Sequence, residues 1–163
     1  MAESKVLTRT RVSSRDTRGH IRNLLDLPLG SVSRIVCTPG AVRANHYHKT
    51  DFHYCFLEKG VAEYYERPAG SKRPPKHYQF GPGQLFYTGS MIEHAMVFPE
   101  ASILWCFARN SRLSQNYEAD TVRIPSIVPS SSAMKSKSTG RKRAGSPKRS
   151  WRRRRSRSRR GNG

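Results

Sequence analysis

Four of the six histidines, His46, His48, His53 and His94, stand where they could do chemistry together. His46 and His48 are two apart, and on a β-strand residues i and i+2 share a face. A reversal at Lys49–Asp51 would bring His53 in on the next strand. There His53, Cys55 and Leu57 would share one face, and Phe52, Tyr54 and Phe56 the other. If the first of these faces points inward, His53 completes a three-imidazole cluster with His46 and His48, which could converge on one divalent metal. Nitrogen-only ligation suits Fe, Zn, Cu, Ni or Co better than Mg or Ca, which prefer oxygen. With no carboxylate to offset the ion, its open positions would favour anionic or enolisable ligands. Imidazole also titrates near neutrality, which suits these side chains to proton transfer. His20 and His77 are read as ordinary surface or core histidines.

These side chains need strands to carry them, and the sequence supplies them. Short β-branched and aromatic runs alternate with Gly/Pro punctuation. They are Ser33–Cys37, Asn45–His48, Phe52–Leu57, Val61–Arg67, His77–Phe80, Gln84–Thr88, His94–Phe98 and Ser102–Ala108. Eight short strands without a convincing amphipathic helix predict an all-β, antiparallel jelly roll or barrel.

Charge divides the chain. Residues 1–124 hold 17 Lys/Arg and all 11 Asp/Glu, whereas residues 125–163 hold 14 Lys/Arg and no acid. Of the net charge of +20, the tail thus carries +14. A Ser/Lys/Arg-rich segment with one aromatic cannot bury enough apolar surface to order itself. The expected organisation is an N-terminal arm or edge segment at 1–29, a barrel at 30–124 and a disordered tail at 125–163. In the tail, Arg152, Arg153, Arg154, Arg155, Arg157, Arg159 and Arg160 could bind nucleic acid or another polyanion by neutralising phosphates. A non-enzymatic jelly roll that binds or packages nucleic acid is therefore one reading. No apolar run approaches the ~20 residues of a membrane helix, and the N-terminus lacks an apolar leader core. The three cysteines, Cys37, Cys55 and Cys106, make no Cys-x-x-Cys pair and are read as buried free thiols in a reducing compartment. The expected location is cytoplasmic, or nuclear in a eukaryote.

Residues 30–124 resemble the cupin superfamily. Gly40, His46, His48 and Gly60 fall on the spacing of the first cupin motif, with His53 at its Glu position. Gly83 and His94 fall on the second, where Gly89 stands for Pro, Met91 for Gly and Phe98 for Asn. The resemblance implies a cupin-type jelly-roll barrel, a metal on the four motif side chains and a homodimer.

The run Arg43-Ala-Asn-His-Tyr-His-Lys49 is also similar to sugar-nucleotide 3,4-ketoisomerases, which carry Arg-Gly-x-His-x-His-Lys there. Leu85–Tyr87, Met91–His94 and Tyr117-Glu-Ala-Asp120 follow that family's pattern too. This resemblance implies metal-independent acid–base catalysis by His46 and His48. Ala44 replaces the family's Gly, and the strand Ser33–Cys37 lacks the family's tyrosine. Cupins with three histidines on Fe(II) imply the alternative, an oxygenase or lyase, and His53 fits that class better. In either case the ligand is a small polar or anionic metabolite. Arg43, Lys49, Tyr54, Tyr87 and Met96 are the expected substrate-binding residues at the barrel mouth.

Overall fold

The computed structural model describes residues 10–130. The tail arginines from Arg152 to Arg160, and residues 131–163 of the tail expected to be disordered, lie outside the described residues.

The chain folds as two antiparallel sheets facing each other, the cupin jelly roll anticipated from the two motifs. One sheet has four strands in the order β3 (Ser31–Cys37), β10 (Ser102–Ala108), β5 (His53–Lys59), β8 (Leu85–Thr88). The other has five, in the order β11 (Thr121–Arg123), β4 (Ala41–His48), β9 (Ile92–Phe98), β6 (Ala62–Pro68), β7 (Lys76–Phe80). All eight strands read from the sequence are present. Three short strands were missed: the hairpin β1 (Ser14–Asp16) and β2 (Gly19–Ile21), and β11. A seven-residue helix, α1 (Ser114–Asp120), was missed as well. It buries none of its own residues, so it carries no apolar stripe to read. No described helix is long and apolar enough to cross a membrane.

Period-2 alternation decides the inner faces. Along β10, Ser102, Leu104, Cys106 and Ala108 are buried, while Ile103, Trp105 and Phe107 are half-exposed. Along β5, His53, Cys55 and Leu57 are buried. Register carries this across the sheet, since Leu104 pairs with Leu57 and Cys106 with Cys55. The inner faces are polarised lengthwise. One end is apolar, with Leu57, Phe80, Phe86, Phe98 and Leu104 in one cluster and Phe80 stacked on Phe86 at 4.1 Å. Fully burying each such side chain stabilises by about 1.5–3 kcal/mol. At the other end the same strands bury His48, His53, Thr88 and His94.

β9 is buried on nearly every residue because both of its faces are covered. Ala95 packs outward against Tyr65 and Ile127, with Ile124 and Val128 alongside. The compact unit therefore reaches Pro129, beyond the boundary expected at 124.

Candidate active site

A bulge in β4 aims the site. Register against β9 slips between Ala44 and His46, and Ala44 and Asn45 have φ of 69° and 54°. The extra residue changes the strand's parity. Before it, Arg43 pairs with Met96; after it, His46 pairs with His94. Arg43 and His46 consequently both line the interior cavity. The ketoisomerase Gly falls on Ala44, where a left-handed backbone favours glycine. Met91, at the second motif's Gly position, has φ of 58°. Two of the motif departures, Ala44 and Met91, are thus residues held in a glycine-like conformation.

His46, His48 and His94 converge. Each offers a nitrogen, and the three atoms lie within 4.8 Å of one another. The ring centroids of His46 stand 4.7 Å from those of both His48 and His94. His94 Nδ1 is 3.0 Å from the Ile92 carbonyl, so it donates there and leaves Nε2 as the lone-pair nitrogen. His48 Nδ1 sits 3.4 Å from Asp120 Oδ2 and 3.3 Å from Thr121 Oγ1. Its Nε2 is buried and has no hydrogen-bond partner.

His53 points inward and lines the cavity with His46 and His94, its ring centroid 5.1 Å from that of His94. Its nitrogen groups with Cys55 and Cys106, or with His48 and Asp51, rather than with His46 and His94 together. Arg112 Nη2 lies 3.5 Å from His53 Nδ1, at the long end of hydrogen bonding. A guanidinium can only donate, so this contact favours the tautomer with the proton on Nε2. His46, His48 and His94 thus form one candidate ligand group, and His53 stands against a cation. The same guanidinium, 3.9 Å from Cys106 Sγ, disfavours a metal ion among His53, Cys55 and Cys106. All three cysteines are free and buried.

Every one of these imidazoles is held neutral. Burial pushes His46 down to about 2, helped by His94 and His48. Burial brings His94 to about 4, and it holds His53 well below the usual histidine range with help from His94 and Arg112. His48 is also lowered, by burial first and then Arg112, but Asp51 and Asp120 oppose the shift. Of the four, His48 alone has carboxylates favouring its imidazolium. Asp120 stays ionised because hydrogen bonds from the Thr50 side chain and the backbone of Thr50 and Asp51 outweigh its partial burial.

The cavity of about 140 Å³ opens beside the triad, lined by Ile35, Arg43, His46, His94, Arg112 and Tyr117 among others. Met96 lines it as expected. Arg43 does too, although its Nε donates to Cys37 Sγ at 3.1 Å and its Nη2 to the Val36 carbonyl at 3.1 Å. Tyr54 and Tyr87 do not. They pair with each other on the outer face of the four-stranded sheet, ring centroids 5.0 Å apart, because they alternate with the inward residues of β5 and β8. Lys49 is also outside the cavity lining, its Nζ donating to the Ala119 carbonyl at 2.9 Å. Arg112, Tyr117 and Asp120 were missed as site residues. The Tyr117-Glu-Ala-Asp120 similarity marked two of them, and Asp51 and Arg112 carried no sequence signal.

No family model matches the sequence, and no curated protein does. Solved structures share the fold. The TDP-quinovose 3,4-ketoisomerase WlaRB of Campylobacter jejuni aligns with a TM-score of 0.62 at 18% identity, over 76% of this chain and 94% of that one. A 3,4-ketoisomerase from Helicobacter canadensis aligns at 0.61 and 17%, over 76% and 92%. The QdtA 3,4-ketoisomerase of Thermoanaerobacterium thermosaccharolyticum, a double mutant in complex with TDP, aligns at 0.57 and 18%, over 71% and 84%. At such identities the likeness establishes the fold and no more.

Proposed function

We propose that this cupin-fold chain is an acid–base isomerase of a keto-sugar carried on a nucleotide, working through His46 and His48. The observation that carries the reading is the couple between His48 and Asp120 directly behind His46. His46 lines the cavity and meets the substrate. Its own basicity is too low to keep a proton. His48, 4.7 Å away between ring centroids and backed by Asp120, is the better resting place for it. A proton taken from the carbon beside the carbonyl passes to this pair and returns to the former carbonyl carbon. The cavity of about 140 Å³ is smaller than the 300–1,000 Å³ typical of a drug-sized ligand. Only a sugar ring enters it, and the nucleotide stays at the rim. The fold likeness to sugar ketoisomerases supports this reading over the metal-dependent oxygenase or lyase. The test is incubation of chelator-treated protein with TDP-4-keto-6-deoxyglucose, the compound bound by a QdtA mutant of the same fold. Formation of the 3-keto isomer, seen by NMR, supports the proposal; recovery of the unchanged sugar by the folded protein rejects it.

One observation favours a second reading. The buried, unpartnered Nε2 of His48 faces the nitrogens of His46 and His94, a donor set that fits a divalent transition metal. In that reading His46, His48 and His94 hold the ion, and Asp120 orients His48 as a carboxylate commonly orients a ligating histidine. A bound ion would supply Lewis-acid polarisation of a carbonyl oxygen. Arg112 would still bind an anionic group beside it, and Tyr117 would still cover His46 and His48.

A further inference from the structure

We propose that Arg112 is a catalytic residue of this site, the group that holds the negative oxygen formed when the sugar enolises. The inference rests on the acid–base reading and adds to it the residue that takes the charge.

Enolisation breaks a C–H bond next to the carbonyl. The proton goes to the imidazole pair, the bonding electrons become the C=C of an enediolate, and the carbonyl oxygen takes the negative charge. Reprotonation at the former carbonyl carbon, with transfer of the neighbouring hydroxyl's proton to the charged oxygen, completes the shift: the one oxygen becomes a hydroxyl and the other the new carbonyl. No electrons enter or leave the substrate. The costly moment is the charge on oxygen, and a fixed cation or donor aimed at it lowers the barrier.

Two guanidinium groups line the cavity, and they differ in what their nitrogens already do. Arg43 has both its Nε and its Nη2 engaged by Cys37 and Val36. Arg112 is anchored by one nitrogen only. Its Nη2 meets Asp51 Oδ2 at 3.3 Å, His53 Nδ1 at 3.5 Å and Cys106 Sγ at 3.9 Å. Its Nε is buried and has no hydrogen-bond partner. Its guanidinium carbon lies 5.1 Å from the Tyr117 ring centroid, and that ring in turn faces His46 and His48. The plane is thus fixed from two sides on a residue that lines the cavity, with one buried donor left unmet. Buried donors are almost always paired, so an unmet one on a cavity-lining guanidinium marks a group that a ligand acceptor would complete. An arginine kept only for the sake of Asp51 would not need to line the cavity.

The experiment follows deuterium uptake from solvent into TDP-4-keto-6-deoxyglucose by NMR, with wild type, Arg112→Met and Arg112→Lys, each checked for folding by thermal melting. Exchange at the carbon beside the carbonyl is expected in wild type. In Arg112→Met, kcat for exchange should fall by about 100–1,000-fold, as for loss of one oxyanion donor, with KM changed far less. Arg112→Lys keeps a charge near Asp51 but loses the fork, and should recover only part of the rate. Folded variants that exchange at the wild-type rate overturn the role of Arg112 and leave the histidine mechanism standing. A loss that merely tracks the fraction unfolded also overturns it. No exchange in wild type defeats the acid–base reading, and Arg112's role with it.

Discussion

His48 Nδ1 lies 3.4 Å from Asp120 Oδ2, and both groups are buried or nearly so. The pair joins the last residue of β4 to the last residue of α1. It also sets the polarity of His48. With Nδ1 facing a carboxylate, Nε2 is the free nitrogen, and it faces the other imidazoles.

That relationship makes His48 the histidine whose substitution should matter most. His48→Asn is expected to lower isomerisation by about 100–10,000-fold, the usual range for removing an acid–base group. Asp120→Asn should cost less, about tenfold. It should also move the acidic limb of the pH–rate profile to lower pH, because a carboxylate that raises the histidine's pKa has been removed. Steady-state rates between pH 5 and 9 would show this. An unmoved limb would separate Asp120 from the chemistry.

In the metal-binding reading, uptake should depend on His46, His48 and His94 rather than on all four histidines. His46→Ala and His94→Ala should abolish stoichiometric uptake of Co(II) or Zn(II), while His53→Ala should retain it. Elemental analysis after dialysis against each metal separates these outcomes. Equal loss in His53→Ala would restore it as a ligand.

Backbone conformation predicts two stabilising substitutions. Ala44 and Met91 are held at positive φ. A left-handed residue with a Cβ is disfavoured by roughly 1–2 kcal/mol, and glycine recovers part of that against its greater unfolded entropy. Ala44→Gly and Met91→Gly should each stabilise by about 0.5–1 kcal/mol in urea unfolding. Gly60→Ala should do the reverse. Gly60 has φ of 87°, and a Cβ there would lie 2.1 Å from Ser102 Oγ. A loss of about 2 kcal/mol or more is expected.

The neutral histidines make stability depend on pH. Unfolded, each binds a proton near pH 6.5; folded, His94 does so only near 4 and His46 near 2. The unfolded state therefore holds more protons below pH 6.5. Stability is full above that value and falls as pH drops, by up to about 1.4 kcal/mol per pH unit for each such histidine. For His94 the loss is complete once pH passes below about 4. Urea midpoints at pH 7.5, 6.5 and 5.5 should decline in that order, and less steeply in His94→Gln. A flat profile would contradict the burial of these rings as neutral groups.

The strands and the histidine spacing were legible because both rest on period-2 alternation, which β5 and β10 keep strictly. The parity change at Ala44–Asn45 was not legible, since only a backbone dihedral reveals it. It is what lets Arg43 and His46 share one cavity. Tyr54 and Tyr87 were misplaced because motif spacing does not say which face of β5 is inward. Arg112 lies on a loop after β10, where no periodicity operates, and its meeting with Asp51 depends on tertiary structure alone. The helix α1 is too short and too exposed to leave an apolar pattern.

The most direct test of the acid–base account uses chelator-treated wild type, His46→Asn and His48→Asn, incubated with TDP-4-keto-6-deoxyglucose in D2O and followed by NMR. The account predicts a deuterium-labelled 3-keto isomer from the metal-free wild type and neither label nor isomer from the two folded variants. Label and isomer that appear only after a divalent metal is restored, or at the wild-type rate in His48→Asn, would contradict it.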